Sequence, residues 1–300
     1  MKSLLAAVVA GGLLSALNPA AASQAHAAAP RGQVTPVAVN SYASTAGTGL
    51  RIMSLGDSIT VGNGSSAGDG YRYFLQKYLK ATGATFDFVG SQRHGRNGDV
   101  DNEGHGGWTI DQIAAQLDGW LSTYQPNVVL LHAGTNNVSW AEAPADIAAK
   151  LSAMIDQIHA TVPKAQIFVA KIIATRLPNQ VATNKAYNAL IPGIVADKGP
   201  LVHVVDQSTV GGLSIDDAHH PNDFGYRKMA YNWYQAMRDN LAPNWRAPAD
   251  NPFAQTKHVL LVNYDWAQRR QVKAYWSRVI GFSEDGKKIY VWLKDKNQNP

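Results

Sequence analysis

Cysteine is absent from all 300 residues of the chain. Without disulfides, stability has to come from burial of apolar surface, for which 45 % hydrophobic residues supply enough material. The absence also excludes cysteine nucleophiles, zinc sites built on thiolates and cysteine-held iron–sulfur clusters.

A hydrophobic run long enough to span a bilayer is also missing. The most apolar segment, Leu4–Leu17, holds about 14 residues, whereas a spanning helix needs about 20. It follows the basic start Met1-Lys2 and precedes small-residue cleavage candidates between Ala20 and Ala27. This arrangement predicts a secretory signal peptide over residues 1–27, followed by a linker over residues 28–48. We therefore expect a secreted protein without a membrane partner.

Metal-binding and nucleotide-binding motifs are missing too. The sequence has nine histidines but none in the His-Glu-x-x-His spacing, and the adjacent His219 and His220 are poorly placed to face one ion. No glycine-rich phosphate loop occurs. The sequence therefore predicts no metal site and no cofactor.

An excess of positive charge is confined to the end of the chain. Residues 251–300 hold nine Lys and Arg against four Asp and Glu, whereas the rest of the chain balances at 18 against 18. Strand-like patterns predict a basic, β-rich C-terminal extension over residues 243–300, with a hairpin turn at Asp285-Gly286. The basic residues are scattered, which favours a solvated face over nucleic-acid binding, and we expect no nucleic-acid partner. Polymer binding, packing on the rest of the protein and the start of a longer module are all open roles for this extension.

Short apolar runs alternate with helical patterns between residues 49 and 242. Strands that are apolar on both faces and separated by helices predict a parallel sheet covered on both sides. We therefore expect an α/β domain built as a three-layer α/β/α sandwich around a five-stranded parallel sheet. The predicted strands are residues 50–55, 85–89, 128–133, 166–173 and 201–205, the predicted helices are 71–82, 109–124, 144–162, 184–197 and 221–241, and the polar segment 91–107 is predicted to be a loop.

Three polar segments lie at the predicted active-site edge of this sheet, after its strands or in the loop that enters the last helix. They are Gly56-Asp57-Ser58-Ile59-Thr60, Gly134-Thr135-Asn136-Asn137 and Asp217-Ala218-His219-His220-Pro221. A serine at a tight strand-to-helix turn exposes its hydroxyl, a histidine can take the proton, and a carboxylate can orient that histidine. The amide of an asparagine can donate to a developing oxyanion. Each segment alone is typical of an ordinary turn, and only the ordered set indicates catalysis.

A competing serine motif occurs at Gly64-Ser65-Ser66-Ala67-Gly68, which has the Gly-x-Ser-x-Gly pattern of α/β-hydrolases. That motif requires a strand before it, and the preceding Val61-Gly62-Asn63 is predicted to be loop. We therefore prefer Ser58 as the nucleophile.

The ordered blocks resemble those of the SGNH, or GDSL, hydrolases, and most of all those of carbohydrate esterase family three. The blocks begin at Gly56, Glu103, Gly134 and Asp217. The resemblance spans roughly residues 50–241 and implies a flavodoxin-like fold. Where that family usually has an aspartate after the asparagine of its third block, this sequence has Asn137, a change expected to affect local hydrogen bonding more than catalysis.

The same resemblance implies a catalytic triad. Ser58 would be the nucleophile, His220 the general base and Asp217 the residue that orients the base. His219 and Asp216 are the weaker alternatives for the last two roles.

An oxyanion hole and a substrate surface are implied as well. The backbone N–H groups of Ser58 and Gly107 and the side chain of Asn136 would bind the oxyanion, and Trp108 and Trp140 are candidates for substrate contact. The implied reaction is ester hydrolysis through an acyl-enzyme, with an acetylated polysaccharide such as xylan as the expected substrate and a monomer as the expected state. A general short-chain esterase or lipase is one alternative, and a non-catalytic carbohydrate-binding protein is the other.

Overall fold

The computed structural model describes residues 49–211 and 219–253, and the backbone of residues 257–265, 270–282 and 289–291. The predicted signal peptide and linker lie outside the described residues. Within the described part of the chain, none of the helices combines the length and apolar composition needed to cross a bilayer.

The centre of the protein is a mostly parallel sheet. Its strand order is β3-β4-β1-β5-β6-β7, with β2 also paired to β1, and the pairing is parallel throughout except between β3 and β4. This is the arrangement that places loops from several strands at one carboxyl edge. The strands are β1 (Leu50–Gly56), β2 (Phe86–Phe88), β3 (Gln92–Arg93), β4 (Asp101–Gly104), β5 (Val128–His132), β6 (Gln166–Lys171) and β7 (Val202–Asp206).

The prediction of five strands is wrong by two, because β3 and β4 lie inside the segment 91–107 predicted to be a loop. Strand β4 pairs through its backbone with the last two residues of β1. Its buried side chains Asn102 and Glu103 are polar and satisfied by hydrogen bonds. A strand of this kind has no apolar pattern from which the sequence could predict it.

Seven helices surround the sheet in the described residues. They are α1 (Ser58–Val61), α2 (Gly70–Ala81), α3 (Ile110–Tyr124), α4 (Thr135–Ser139), α5 (Pro144–Thr161), α6 (Pro178–Ala196) and α7 (Asp223–Leu241). Helix α6 begins six residues before the predicted start, since Pro178 suits a first helical turn. Helix α7 begins at Asp223, two residues later than predicted, because the side chain of Asn222 caps it by accepting the N–H of Gly225.

Two apolar cores hold the layers together. On one face of the sheet, α3, α5 and α6 bury residues such as Ile113, Leu151 and Ile191. On the other face, α2 and α7 pack with the rings of Tyr71 and Trp233 5.9 Å apart. These cores confirm the three-layer α/β/α sandwich.

The C-terminal extension contains a separate antiparallel sheet in the order β10-β9-β8. Its strands are β8 (Lys257–Asp265), β9 (Arg270–Phe282) and β10 (Ile289–Val291). The predicted turn at Asp285-Gly286 lies outside the described residues. The domain boundary at residue 243 stays a prediction.

Candidate active site

Ser58 lies at the first position of the one-turn helix α1, directly after the central strand β1. The buried carboxylate of Asp57 caps this turn by accepting the N–H of Ile59 at 3.0 Å. Gly56 is required because a Cβ there would overlap the carbonyl oxygen of His132 on the neighbouring strand β5. The strand-to-helix turn therefore fixes the serine at the carboxyl edge of the sheet.

His220 reaches Ser58 from the segment before α7. Its Nε2 lies 2.8 Å from Ser58 Oγ, within hydrogen-bonding distance. The two residues are 162 positions apart in sequence, so tertiary structure alone brings them together. In this geometry the imidazole can accept the hydroxyl proton, which is the first requirement for a serine nucleophile.

The competing motif Gly64-Ser65-Ser66-Ala67-Gly68 does not form a strand-to-helix nucleophile turn. It packs instead against the segment that carries His220. Its residues follow the end of α1 without a preceding strand, and the backbone N–H of Ser66 donates to Asp223 Oδ1 at 2.8 Å. A Cβ on Gly64 would lie 2.9 Å from His220 Cβ, and the φ of Gly64 is +86°. The small residue therefore lets this loop pack against His220.

Asp217 and Asp216 lie outside the described residues. Asp217 as the residue that orients His220 stays a prediction.

The loop that contains the predicted oxyanion residue Gly107 approaches the serine. A Cβ on Gly106 would be 3.8 Å from Ser58 Cβ, and Gly107 follows with a φ of +82°, in the region that favours glycine. The Asn136 Nδ2 donates to the carbonyl oxygen of Trp108 at 2.8 Å. An amide NH₂ has two donors, so this bond anchors the side chain and leaves one hydrogen for an oxyanion.

The two predicted substrate-binding tryptophans differ in environment. Trp108 is partly buried against the core, and one face of its indole stacks on the ring of His105 at 4.4 Å. Trp140, which ends α4, has 73 % of its surface exposed. The exposed indole of Trp140 is free on its surface to stack on a sugar. The indole of Trp108 already packs against the core and against His105.

Asn137 has complete hydrogen bonding in the place where the resembled family usually has aspartate. The fully buried side chain accepts the N–H of Ile110 at 3.0 Å and donates to Glu142 Oε1 at 2.9 Å. An aspartate could make the first bond but would set a second carboxylate against Glu142. Asn137 and Glu142 therefore form a matched pair that ties α4 to the start of α3.

We expect Asn137→Asp to destabilise the fold by about 1–3 kcal/mol, the cost of losing a buried hydrogen bond. For a domain of this size, that lowers the melting temperature by roughly 2–4 °C per kcal/mol. Glu142→Gln in the same chain should recover most of the loss, because its amide can donate to the new carboxylate. Thermal denaturation of the two single variants and the double variant checks this, and full stability of Asn137→Asp alone would contradict it.

One buried residue that supports the site was not predicted from the sequence. The guanidinium of Arg72 on α2 donates to the carbonyl oxygens of Thr60 in α1 and, at 2.6 Å, of His94 after β3. Burial lowers the pKa of this group. The sequence around Arg72 does not show that this arginine is buried. Its burial depends on carbonyl groups from two other segments of the chain, which no local pattern contains.

In the part of the chain that the structure describes, no group of three or more His, Cys, Asp and Glu side chains is placed to hold a metal ion.

An α/β sandwich with a serine–histidine pair at the carboxyl edge of its sheet has the architecture of a serine hydrolase. The chain belongs to the GDSL-like lipase/acylhydrolase family, whose model matches residues 54–228, more than half of its length. This confirms the family resemblance that the sequence blocks predict.

Individual relatives agree with this family. A multidomain esterase from Ruminococcus flavefaciens is 31 % identical over 234 residues, which cover 66 % of this chain and 29 % of that protein. The chain also spans only 59 % of a second curated relative, from Acetivibrio thermocellus. Among solved structures, a family 3 carbohydrate esterase from Clostridium thermocellum is 39 % identical with a TM-score of 0.58, covering 64 % of this chain and 96 % of that one. An acetyl esterase in which a serine was mutated to alanine, solved with an acetate ion, is 28 % identical with a TM-score of 0.56, covering 63 % and 97 %.

Proposed function

We propose that this protein is a secreted serine esterase that removes acetyl groups from a polysaccharide such as acetylated xylan. The single observation that carries the hydrolytic part is the 2.8 Å contact between Ser58 Oγ and His220 Nε2 at the sheet edge. Residues 1–27 support secretion through the pattern of a signal peptide.

The proposed reaction is a two-step acyl transfer. His220 Nε2 takes the proton from Ser58 Oγ while that oxygen bonds to the ester carbonyl carbon, and the carbonyl electrons move to the oxygen. The N–H groups of Ser58 and Gly107 and the amide of Asn136 stabilise this oxyanion. When the oxyanion collapses, the bond from the carbonyl carbon to the alkoxy oxygen breaks, and His220 gives its proton to the departing alcohol. A water molecule then attacks the acyl carbon while His220 takes its proton, and the bond to Ser58 Oγ breaks as His220 returns that proton to the serine and the acid leaves. Asp217 orients the imidazole in this scheme.

A sugar acetate is favoured as substrate by two independent lines of support. The relatives named above include a carbohydrate esterase and an acetyl esterase. The exposed indole of Trp140, four residues after Asn136, is a surface on which a sugar ring can stack beside the site.

Activity on acetylated xylan compared with a series of p-nitrophenyl esters tests the substrate. We expect acetyl esters to be hydrolysed at least about tenfold faster than octanoyl esters, since acyl groups that do not fit lose transition-state binding. A preference for long chains would identify a general esterase or lipase instead. Polysaccharide binding without hydrolysis would identify a non-catalytic binding protein.

Trp140→Ala separates sugar stacking from catalysis. The KM for acetylated xylan should rise about 5- to 20-fold, corresponding to the loss of one aromatic stacking contact, while kinetics on p-nitrophenyl acetate stay unchanged. Leu190→Ala, which removes an exposed apolar side chain on α6, is the matched control. An unchanged KM on xylan in Trp140→Ala would contradict the role of the indole.

A further inference from the structure

Glu103 and His105 form a buried acid–histidine pair outside the predicted triad. His105 Nε2 lies 2.7 Å from Glu103 Oε1, and the two side chains are 10 % and 0 % exposed. Glu103 also accepts the Ser91 N–H and Ser91 hydroxyl, both at 2.7 Å. A carboxylate removed from water at this depth is retained only when its oxygens are satisfied, and here three donors surround it.

Two indoles stack on the imidazole of His105, and their own ring centroids lie 6.3 Å apart. The His105 ring centroid lies 4.4 Å from Trp108 at 26° between planes, and 4.5 Å from Trp120 at 10°. Trp120 belongs to α3, and Trp108 lies just before that helix. The stacked contacts restrain the tilt of the ring, and the bond to Glu103 restrains the direction in which Nε2 points.

The His105 clamp, by which we mean His105 with Glu103, Trp108 and Trp120, is attached directly to the backbone near Ser58. The N–H of His105 donates to the carbonyl oxygen of Gly56 at 2.9 Å, two residues before the serine. A Cβ on Gly104 would lie 2.7 Å from the backbone nitrogen of Val61, so β4 runs against α1. Gly106 and Gly107 follow immediately, and two consecutive glycines have the greatest backbone freedom of any dipeptide.

We propose that His105, held by Glu103, Trp108 and Trp120, is a positioning residue that sets the oxyanion-binding Gly106-Gly107 turn. This inference rests on the proposed function, because it assigns the turn to the ester-hydrolysis site. The far side of the turn is anchored by Asn136 through the Trp108 carbonyl, and the His105 clamp supplies the near anchor. Since a donor displaced by about 1 Å can cost about 100-fold in rate, a turn of two glycines needs both anchors.

The chemistry of the clamp requires a histidine, because it needs a flat ring and a hydrogen-bonding nitrogen at once. Glutamine keeps a hydrogen bond to Glu103 but cannot stack, and phenylalanine stacks but leaves the buried carboxylate without that donor. Glu103→Gln keeps the size of the side chain and removes the charge. These three variants therefore remove one element of the clamp at a time.

The experiment measures kcat and KM on p-nitrophenyl acetate for His105→Gln, His105→Phe and Glu103→Gln. We expect kcat to fall about 10- to 100-fold with KM within about twofold, because the oxyanion donors act in the transition state. Affinity for a small boronic acid, whose serine adduct mimics the tetrahedral intermediate, should fall in parallel with kcat. Affinity for acetate should not change.

His203→Gln is the matched control. This histidine also combines a side-chain bond, 2.6 Å from Nε2 to Gln166 Oε1, with a ring contact, 4.9 Å to Phe168, but it lies on β7. Wild-type kcat in the control and reduced kcat in folded His105 and Glu103 variants support the proposal. Wild-type kcat in those folded variants, or failure of all three to fold, overturns it in favour of a purely structural cluster. A wild type without ester hydrolysis would instead refute the proposed function.

Discussion

Ser58→Ala is expected to reduce hydrolysis of p-nitrophenyl acetate by about 10⁴-fold or more. The alanine removes the oxygen that lies 2.8 Å from His220 Nε2, so no acyl-enzyme can form, and only the rate enhancement from binding and the oxyanion hole remains. Steady-state kinetics checks the loss, and thermal denaturation checks that the variant is folded.

Ser66→Ala is the control for this variant, because it removes the hydroxyl of the competing Gly-x-Ser-x-Gly motif a few residues away. The structure gives that segment a packing role through its backbone, so kcat/KM should stay within about twofold of wild type. Loss of activity in Ser66→Ala with retention in Ser58→Ala would reverse the assignment of the nucleophile.

His220→Gln is expected to cause a loss of similar size, about 10⁴-fold in kcat. Glutamine occupies comparable space before α7 but cannot accept the serine proton and later return it to the leaving group. Because serine and base act as a unit, the double variant with Ser58→Ala should be no slower than either single variant. Single-turnover kinetics on an activated acetyl ester measures the acylation step directly.

His219→Gln separates the two adjacent histidines. The rings of His219 and His220 are 6.3 Å apart, and it is His220 that contacts Ser58. We expect His219→Gln to retain activity within about tenfold of wild type. A deeper loss than in His220→Gln would assign the base to His219.

Much of the fold could be predicted because its main strands are apolar on both faces. The pattern of Val128–His132 and Gln166–Lys171 is that of buried parallel strands, and the structure confirms both. Strand β4 could not be predicted, since Asn102 and Glu103 are buried through hydrogen bonds to distant segments. Polar burial depends on tertiary partners, which a local pattern does not contain.

The candidate site also contains some residues that could be predicted from the sequence and others that could not. Ser58, Asn136 and His220 lie in ordered polar segments at predicted strand ends or helix entries, and the resemblance of the blocks to a known family added Gly107 as a candidate. The clamp around His105 was not predictable, because Trp120 is one of several large residues on an amphipathic helix and Glu103 looks like a loop residue. The role of Asn137 was also hidden, because its partner Glu142 becomes its neighbour only when α4 forms.

Labelling with a fluorophosphonate probe tests the central claim most directly, since it reports whether Ser58 is an activated nucleophile without depending on the natural substrate. Intact mass measurement of the folded protein should show one adduct per chain, and peptide mapping should place it on Ser58. The adduct should persist in Ser66→Ala and disappear in Ser58→Ala. No adduct on folded wild-type protein, or an adduct on another serine, would contradict the account.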